Sequence, residues 1–203
     1  MNTPPIAVQS PGLAAAPTLS PDAVLAWFDT RASLNERWLF TLDGRSGAGK
    51  TQLSDRLAQH YPHAQVLHLD DLYRDWDSLP SGVLRARQLV EHWRAGRSPS
   101  YKPTQWAGMP PREREPIHAT RSLIVEGVGA GWVGQNIAEG SAWLEASREQ
   151  RRIRALRRDG EMFAPYWVSW EAQERSWFTA HPPRADVVVD ASDLTDEERS
   201  AAH

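Results

Sequence analysis

Five short apolar runs punctuate the chain: Trp38-Leu39-Phe40-Thr41-Leu42-Asp43, Val66-Leu67-His68-Leu69, Ser122-Leu123-Ile124-Val125-Glu126, Ala142-Trp143-Leu144-Glu145-Ala146 and Asp186-Val187-Val188-Val189-Asp190. Such runs, with little polar alternation, suit strands buried on both faces. The segments between them have helical spacing. Ser20 and Pro21 form a start signal ahead of an apolar face of Val24, Leu25, Trp27 and Phe28. Leu53 and Leu57 mark a helix over Gln52–His60, and another runs from Val83 to Ala95, stopped by Gly96. Arg148–Arg158 and Pro165–Ala180 read as two more. Strands alternating with helices predict a three-layer α/β fold around a mostly parallel, five-stranded sheet. Residues 1–20, rich in Pro, Ala and Ser, read as a flexible leader, 21–193 as one domain, and 194–203 as a polar tail. Residues 97–121 form a long proline-bearing loop, and a loop of that length in a compact domain usually has a function.

The turn after the first run carries the chemistry. Gly44-Arg45-Ser46-Gly47-Ala48-Gly49-Lys50-Thr51 matches G-x-x-x-x-G-K-[ST] in full, between a strand and a helix. Glycines let the backbone curl so that successive amides face phosphate oxygens, and the helix start adds its positive dipole end. This is the phosphate loop of P-loop NTPases, with residues 44–51 and Gln52 as the nucleotide-binding set. Lys50 reaches the β- and γ-phosphates and the Thr51 hydroxyl holds Mg²⁺. ATP and Mg²⁺ are therefore the expected cofactors.

Ligands in open α/β sheets collect at the carboxyl ends of the strands. Two predicted strand ends carry acids here: Asp70 and Asp71 at one, Glu126 at the other. Phosphoryl transfer needs a carboxylate to orient the attacking hydroxyl, which suits Asp70, and anionic Mg²⁺ ligands, which suits Glu126. Asp71 is the residue expected to cap a turn. Gly127, Gly129, Gly131 and Gly134 follow Glu126 and read as a tight backbone turn, not as a second nucleotide motif.

Six arginines fall between Arg148 and Arg158, and Arg151, Arg154 and Arg158 share one helical face. Such forks can neutralise charge on a transferring phosphoryl group; the competing reading is a solvated face paired with Glu145, Glu149 and Asp159. Net charge is −3, so no basic field points to nucleic acid, and no run reaches the roughly 20 apolar residues of a membrane span. With no cysteine, disulfides and thiolate chemistry are excluded. A cytoplasmic protein is the expectation, with a homo-oligomer left open.

Together these pieces resemble the uridine kinase and phosphoribulokinase branch of the P-loop kinases across most of residues 37–190. The resemblance rests on GRSGAGKT, LHLDDLYR, the Pro99-Ser100-Tyr101 triplet, LIVEG at 123–127, RRIRALRRDG at 151–160 and RADVVVD at 184–190. It implies that Asp70 is the catalytic aspartate and that Thr51, Asp70 and Glu126 surround Mg²⁺. It also implies a helical arginine lid at about 148–162, with Arg151 on the nucleotide and Arg154 and Arg158 beside Lys50 in catalysis. Tyr73 matches an aromatic residue at the acceptor site, and Tyr101 a tyrosine that contacts the nucleoside base. The family carries an acid after that tyrosine and a histidine a few residues on, where this chain has Lys102 and Trp106. The expected activity is ATP-dependent phosphorylation of a small-molecule hydroxyl, with altered acceptor specificity and a pocket of Tyr73, Trp76, Tyr101, Lys102 and Trp106. Two other readings are a nucleotide-dependent regulatory ATPase and a toxin-like kinase acting on an activated sugar.

Overall fold

A computed structural model describes residues 12–106 and 110–192. The elements run β1 (Thr18–Leu19), α1 (Pro21–Ala32), β2 (Leu39–Asp43), α2 (Lys50–His60), β3 (Gln65–His68), α3 (Leu79–Arg94), β4 (Ser100–Tyr101), β5 (Glu115–Pro116), β6 (Leu123–Glu126), α4 (Ala130–Gly134), β7 (Gly140–Glu145), α5 (Arg148–Phe163), α6 (Trp167–Ala180) and β8 (Val187–Asp190). The main sheet is parallel throughout, in the order β1-β8-β7-β2-β6-β3. Strands β2 and β6 are buried at every position, as their mainly apolar sequences require, with Thr41, Asp43 and Glu126 the polar exceptions.

The five expected strands all form, and the sheet gains a sixth from the segment read as a leader. Thr18 and Leu19 pair with Val188 and Val189, and the Val188 N–H donates to the Pro17 carbonyl (2.9 Å). A strand of two residues is too short to leave a periodic signature, so backbone pairing alone defines it. Residues 1–11 of that leader and the tail from 194 lie outside the described residues.

The helices divide the core into two layers. On one face, Val24 and Phe28 of α1 and Leu53 and Leu57 of α2 pack on Phe40, Leu42, Ile124 and Leu144. Ser20 caps α1 by accepting the Ala23 N–H at 3.2 Å. On the other face, Val83, Val90 and Trp93 of α3 join Trp170, Trp177 and Phe178 of α6 over Leu39, Leu123 and Val125. The α5 helix opens with a reciprocal Ser147–Gln150 capping box and is interrupted at Gly160, where φ is 52° and ψ −133°. The long loop folds back as the antiparallel β4–β5 hairpin beside the carboxyl end of β3. Among the described residues no helix is long and apolar enough to cross a membrane.

Candidate active site

The parallel sheet brings three strand ends together. At β2 the chain leaves Asp43, turns through Gly44–Gly49 and enters α2 at Lys50. Leu42 lies opposite Glu126 on β6, and Glu126 lies opposite His68 on β3, so the catalytic candidates stand side by side. The Thr51 hydroxyl donates to Glu126 Oε1 at 3.3 Å, and His68 Nδ1 sits 2.6 Å from the same oxygen. Lys50 is buried at the loop, its Nζ donating to the Arg45 carbonyl at 3.1 Å.

Lys50, Thr51 and Glu126 line one cavity of about 340 Å³, together with Asp70, Arg154, Arg157 and Arg158. The two acids are tuned in opposite directions. Asp70 is exposed on the cavity, and the bulk of low-polarity protein around it raises its pKa; Arg158 opposes this and Glu126 adds to it. Burial also works against the charge on Glu126, yet His68, Lys50 and Arg158 more than offset it and hold its carboxyl below the ordinary value. Burial likewise opposes the charge on His68, but Glu126 reverses the balance and raises its pKa. The two carboxyls thus differ in proton affinity, with Asp70 above and Glu126 below the ordinary value.

Asp43 secures the turn from behind. Its carboxyl accepts the N–H groups of Gly44 (2.7 Å), Gly129 (2.8 Å) and Gly131 (3.0 Å), tying the phosphate loop to the turn after Glu126. Burial pushes its pKa up to about 6 against those three donors. Gly129 takes a left-handed φ of 91°, and a Cβ there would lie 2.7 Å from Val83 Cγ2. The run of glycines is accordingly a packing turn that seats α4 on the sheet.

Not every expected contact forms. Arg45 turns away from the cavity: it pairs with Glu174 at 3.6 Å, and its guanidinium lies over the Phe178 ring at 5.3 Å. Ala48 is wholly buried, so only its backbone can serve a ligand. Arg151 is buried and donates to the Ser46 carbonyl (3.2 Å), which makes it a brace of the loop. Arg154 lines the cavity while donating to the carbonyls of Ala191 and Ser192, both at 2.9 Å. Arg158 also lines it, held by Asp159 at 2.8 and 2.6 Å.

The expected acceptor pocket is rearranged more thoroughly. Tyr73 lies in the core, 1% exposed, with its hydroxyl donating to the Val128 carbonyl at 2.8 Å. Trp76 stacks on Phe163 (5.0 Å, 19°) and Tyr166 (5.1 Å, 13°) and lies 4.4 Å from Trp106. Trp106 donates its indole N–H to the Asp70 carbonyl at 3.1 Å. Tyr101 is buried and donates to Glu115 at 3.0 Å, and Lys102 is exposed. Asp71 forms more than a turn cap, because its carboxyl receives Arg112, which also holds Glu115 (2.6 Å). Arg157 of the arginine run lines the cavity, although the face expected to act comprises Arg151, Arg154 and Arg158, while His68 beside Glu126 and Glu174 on Ser46 carry no expected role. His68 could have been found from its place at the end of β3, level with Glu126.

No family model and no curated protein matches the chain. Among solved structures, it is similar to one described as a possible uridine kinase from Bacillus stearothermophilus, with TM-score 0.50 and 17% identity, covering 83% of this chain and 100% of that one. An uncharacterised protein from Eubacterium ventriosum aligns with TM-score 0.43 and 14% identity over 76% of this chain and 91% of that one. At such identities the first likeness bears on architecture, and the chain has a kinase-like P-loop fold.

Proposed function

We propose that this protein is an ATP-dependent kinase that phosphorylates a hydroxyl of a small molecule. The observation that carries this reading is the convergence of Lys50, Thr51, Asp70 and Glu126 with three arginines in one cavity at the strand ends. Backbone amides of residues 47–51 would cradle the phosphates, and Lys50, which donates to the Arg45 carbonyl, would hold the terminal ones. The attacking hydroxyl gives its proton to Asp70 as its oxygen bonds to the γ-phosphorus and the bond to the ADP oxygen breaks. The raised pKa of Asp70 suits that exchange. Arg158 and Arg157 face the charge that spreads over the transferring oxygens.

The donor set fits Mg²⁺. Thr51 and Glu126 offer hard oxygens 3.3 Å apart, with Asp70 on the same cavity. Among the described residues no trio of His, Asp or Glu side chains forms a complete cage; Mg²⁺ needs none, because phosphate and water oxygens fill the rest of its shell. When bound, it supplies charge neutralisation across the phosphates.

The acceptor differs from a pyrimidine nucleoside. The Tyr101 hydroxyl donates to Glu115 and the Trp106 indole to the Asp70 carbonyl, so neither keeps a hydrogen-bond donor for a base edge. Each missing hydrogen bond to a bound base costs about 1–3 kcal/mol. The test is ADP release against nucleosides, sugars, pantothenate-like acids and amino alcohols. One class should stimulate turnover, and uridine and cytidine should be poor by comparison. ATP hydrolysis indifferent to every acceptor would overturn the kinase reading in favour of a regulatory ATPase.

A further inference from the structure

Ser46 occupies a variable position of the phosphate loop, yet all three of its polar groups are held by helices far along the chain. Its N–H donates to Glu174 at 2.7 Å, its hydroxyl accepts the Trp170 indole N–H at 2.7 Å, and its carbonyl accepts Arg151 at 3.2 Å. Glu174 is 1% exposed and faces two guanidinium groups, Arg45 at 3.6 Å and Arg151 at 4.0 Å. Trp170 and Glu174 are one helical turn apart on α6, so a single face of that helix grips the loop. The lid helix closes the grip from the other side: a Cβ on Gly47 would fall 2.1 Å from the Arg151 carbonyl oxygen. None of these contacts reaches the cavity through Glu174 itself, which is absent from its lining.

We propose that Glu174 is a positioning residue for nucleotide binding: with Trp170 and Arg151 it fixes Ser46, and so presets the phosphate loop in the shape that receives ATP. A loop already in that shape forfeits less freedom when the ligand arrives, which appears as affinity. Replacing Glu174 leaves the Ser46 N–H without its acceptor and the Arg45 and Arg151 guanidinium groups without their counter-charge, and the loop is released to other conformations. The proposal rests on the nucleotide-binding reading above and adds to it the residues that set the affinity.

Two measurements on the full chain test it: amide exchange of peptides covering residues 44–50, and calorimetric binding of Mg²⁺ with a non-hydrolysable ATP analogue. Glu174→Ala should speed exchange in the loop while core peptides of β6 stay protected, and should weaken binding about tenfold or more. Glu174→Gln keeps the Ser46 acceptor but loses the charge, and should fall between that variant and the wild type. Trp170→Phe, which removes the indole N–H together with one ring of a buried side chain, should cost about threefold and carries the test if Glu174→Ala does not fold. Folded variants with unchanged loop exchange, or with faster exchange and unchanged affinity, would overturn the proposal. A wild-type protein that binds no analogue, beside variants whose loop does loosen, would sink the nucleotide reading and leave the grip on Ser46 standing.

Discussion

At the phosphate loop, most of what is held is backbone: the side chains of Asp43, Glu174 and Arg151 engage its N–H and carbonyl groups. The turn is bounded by β2 and α2, Asp43 receives three main-chain N–H groups, and Thr51 meets Glu126 because β2 and β6 are neighbours in register. Beside it, the strap from Ser100 to Pro116 is held by side chains: Arg112 between Asp71 and Glu115, Tyr101 on Glu115, and Trp106 against Trp76. The strap has one pair of two-residue strands to order it, and the loop has a six-stranded sheet. The difference teaches where specificity can drift. A site written in main-chain geometry changes only when the fold does, whereas one written in side-chain pairs can be rewritten by a few substitutions.

If the two regions divide the work in this way, the sharpest break comes from Lys50→Ala. Turnover should vanish and nucleotide binding weaken, with circular dichroism and thermal midpoint near wild type. Full activity in that variant would remove the phosphate loop from the mechanism. Next come the paired acids. Asp70→Asn should lower kcat by about 10²-fold or more with ATP affinity little changed. Asp71→Asn, which loosens only the Arg112 link, should cost less than about tenfold; a reversal of the two would exchange their roles. Trp106→Ala acts on the strap, taking a ring from the aromatic stack and a donor from the Asp70 carbonyl. It should raise KM for the acceptor several-fold and leave KM for ATP nearly unchanged, as steady-state kinetics in both substrates would reveal. Smallest is Tyr101→Phe, which deletes one hydrogen bond to Glu115. Thermal unfolding should register a loss of about 1 kcal/mol, with kcat intact.

The same division explains what could be read from the amino-acid sequence. Lys50, Thr51, Asp70 and Glu126 converge as expected because each sits at a fixed offset from a buried strand, and buried strands announce themselves as apolar runs. The start of α3 escaped: the helix begins at Leu79, four residues before Val83, because Pro80 and Gly82 in its first turn mimic a loop. The five-residue α4 lies inside a glycine run and has no room for a periodic face. Tyr73 points elsewhere than expected because the partner of its hydroxyl, the Val128 carbonyl, is set by tertiary packing. Glu174 had no local signal at all, since its meaning depends on Ser46, 128 residues earlier.

The short strand β1 has a consequence for how the chain comes together. Thr18 and Leu19 emerge among the first residues of the domain, but their partners Val188 and Val189 are among the last described. During synthesis this edge therefore stays open until β8 leaves the ribosome, and closing it is a late step with a long loop to bridge. Until then β8 has β7 on one side and bare amides on the other, a surface inviting to another nascent chain. Shortening the protein to begin at Ser20 would make that temporary exposure permanent, and aggregation during expression, more than loss of catalysis, is its expected cost.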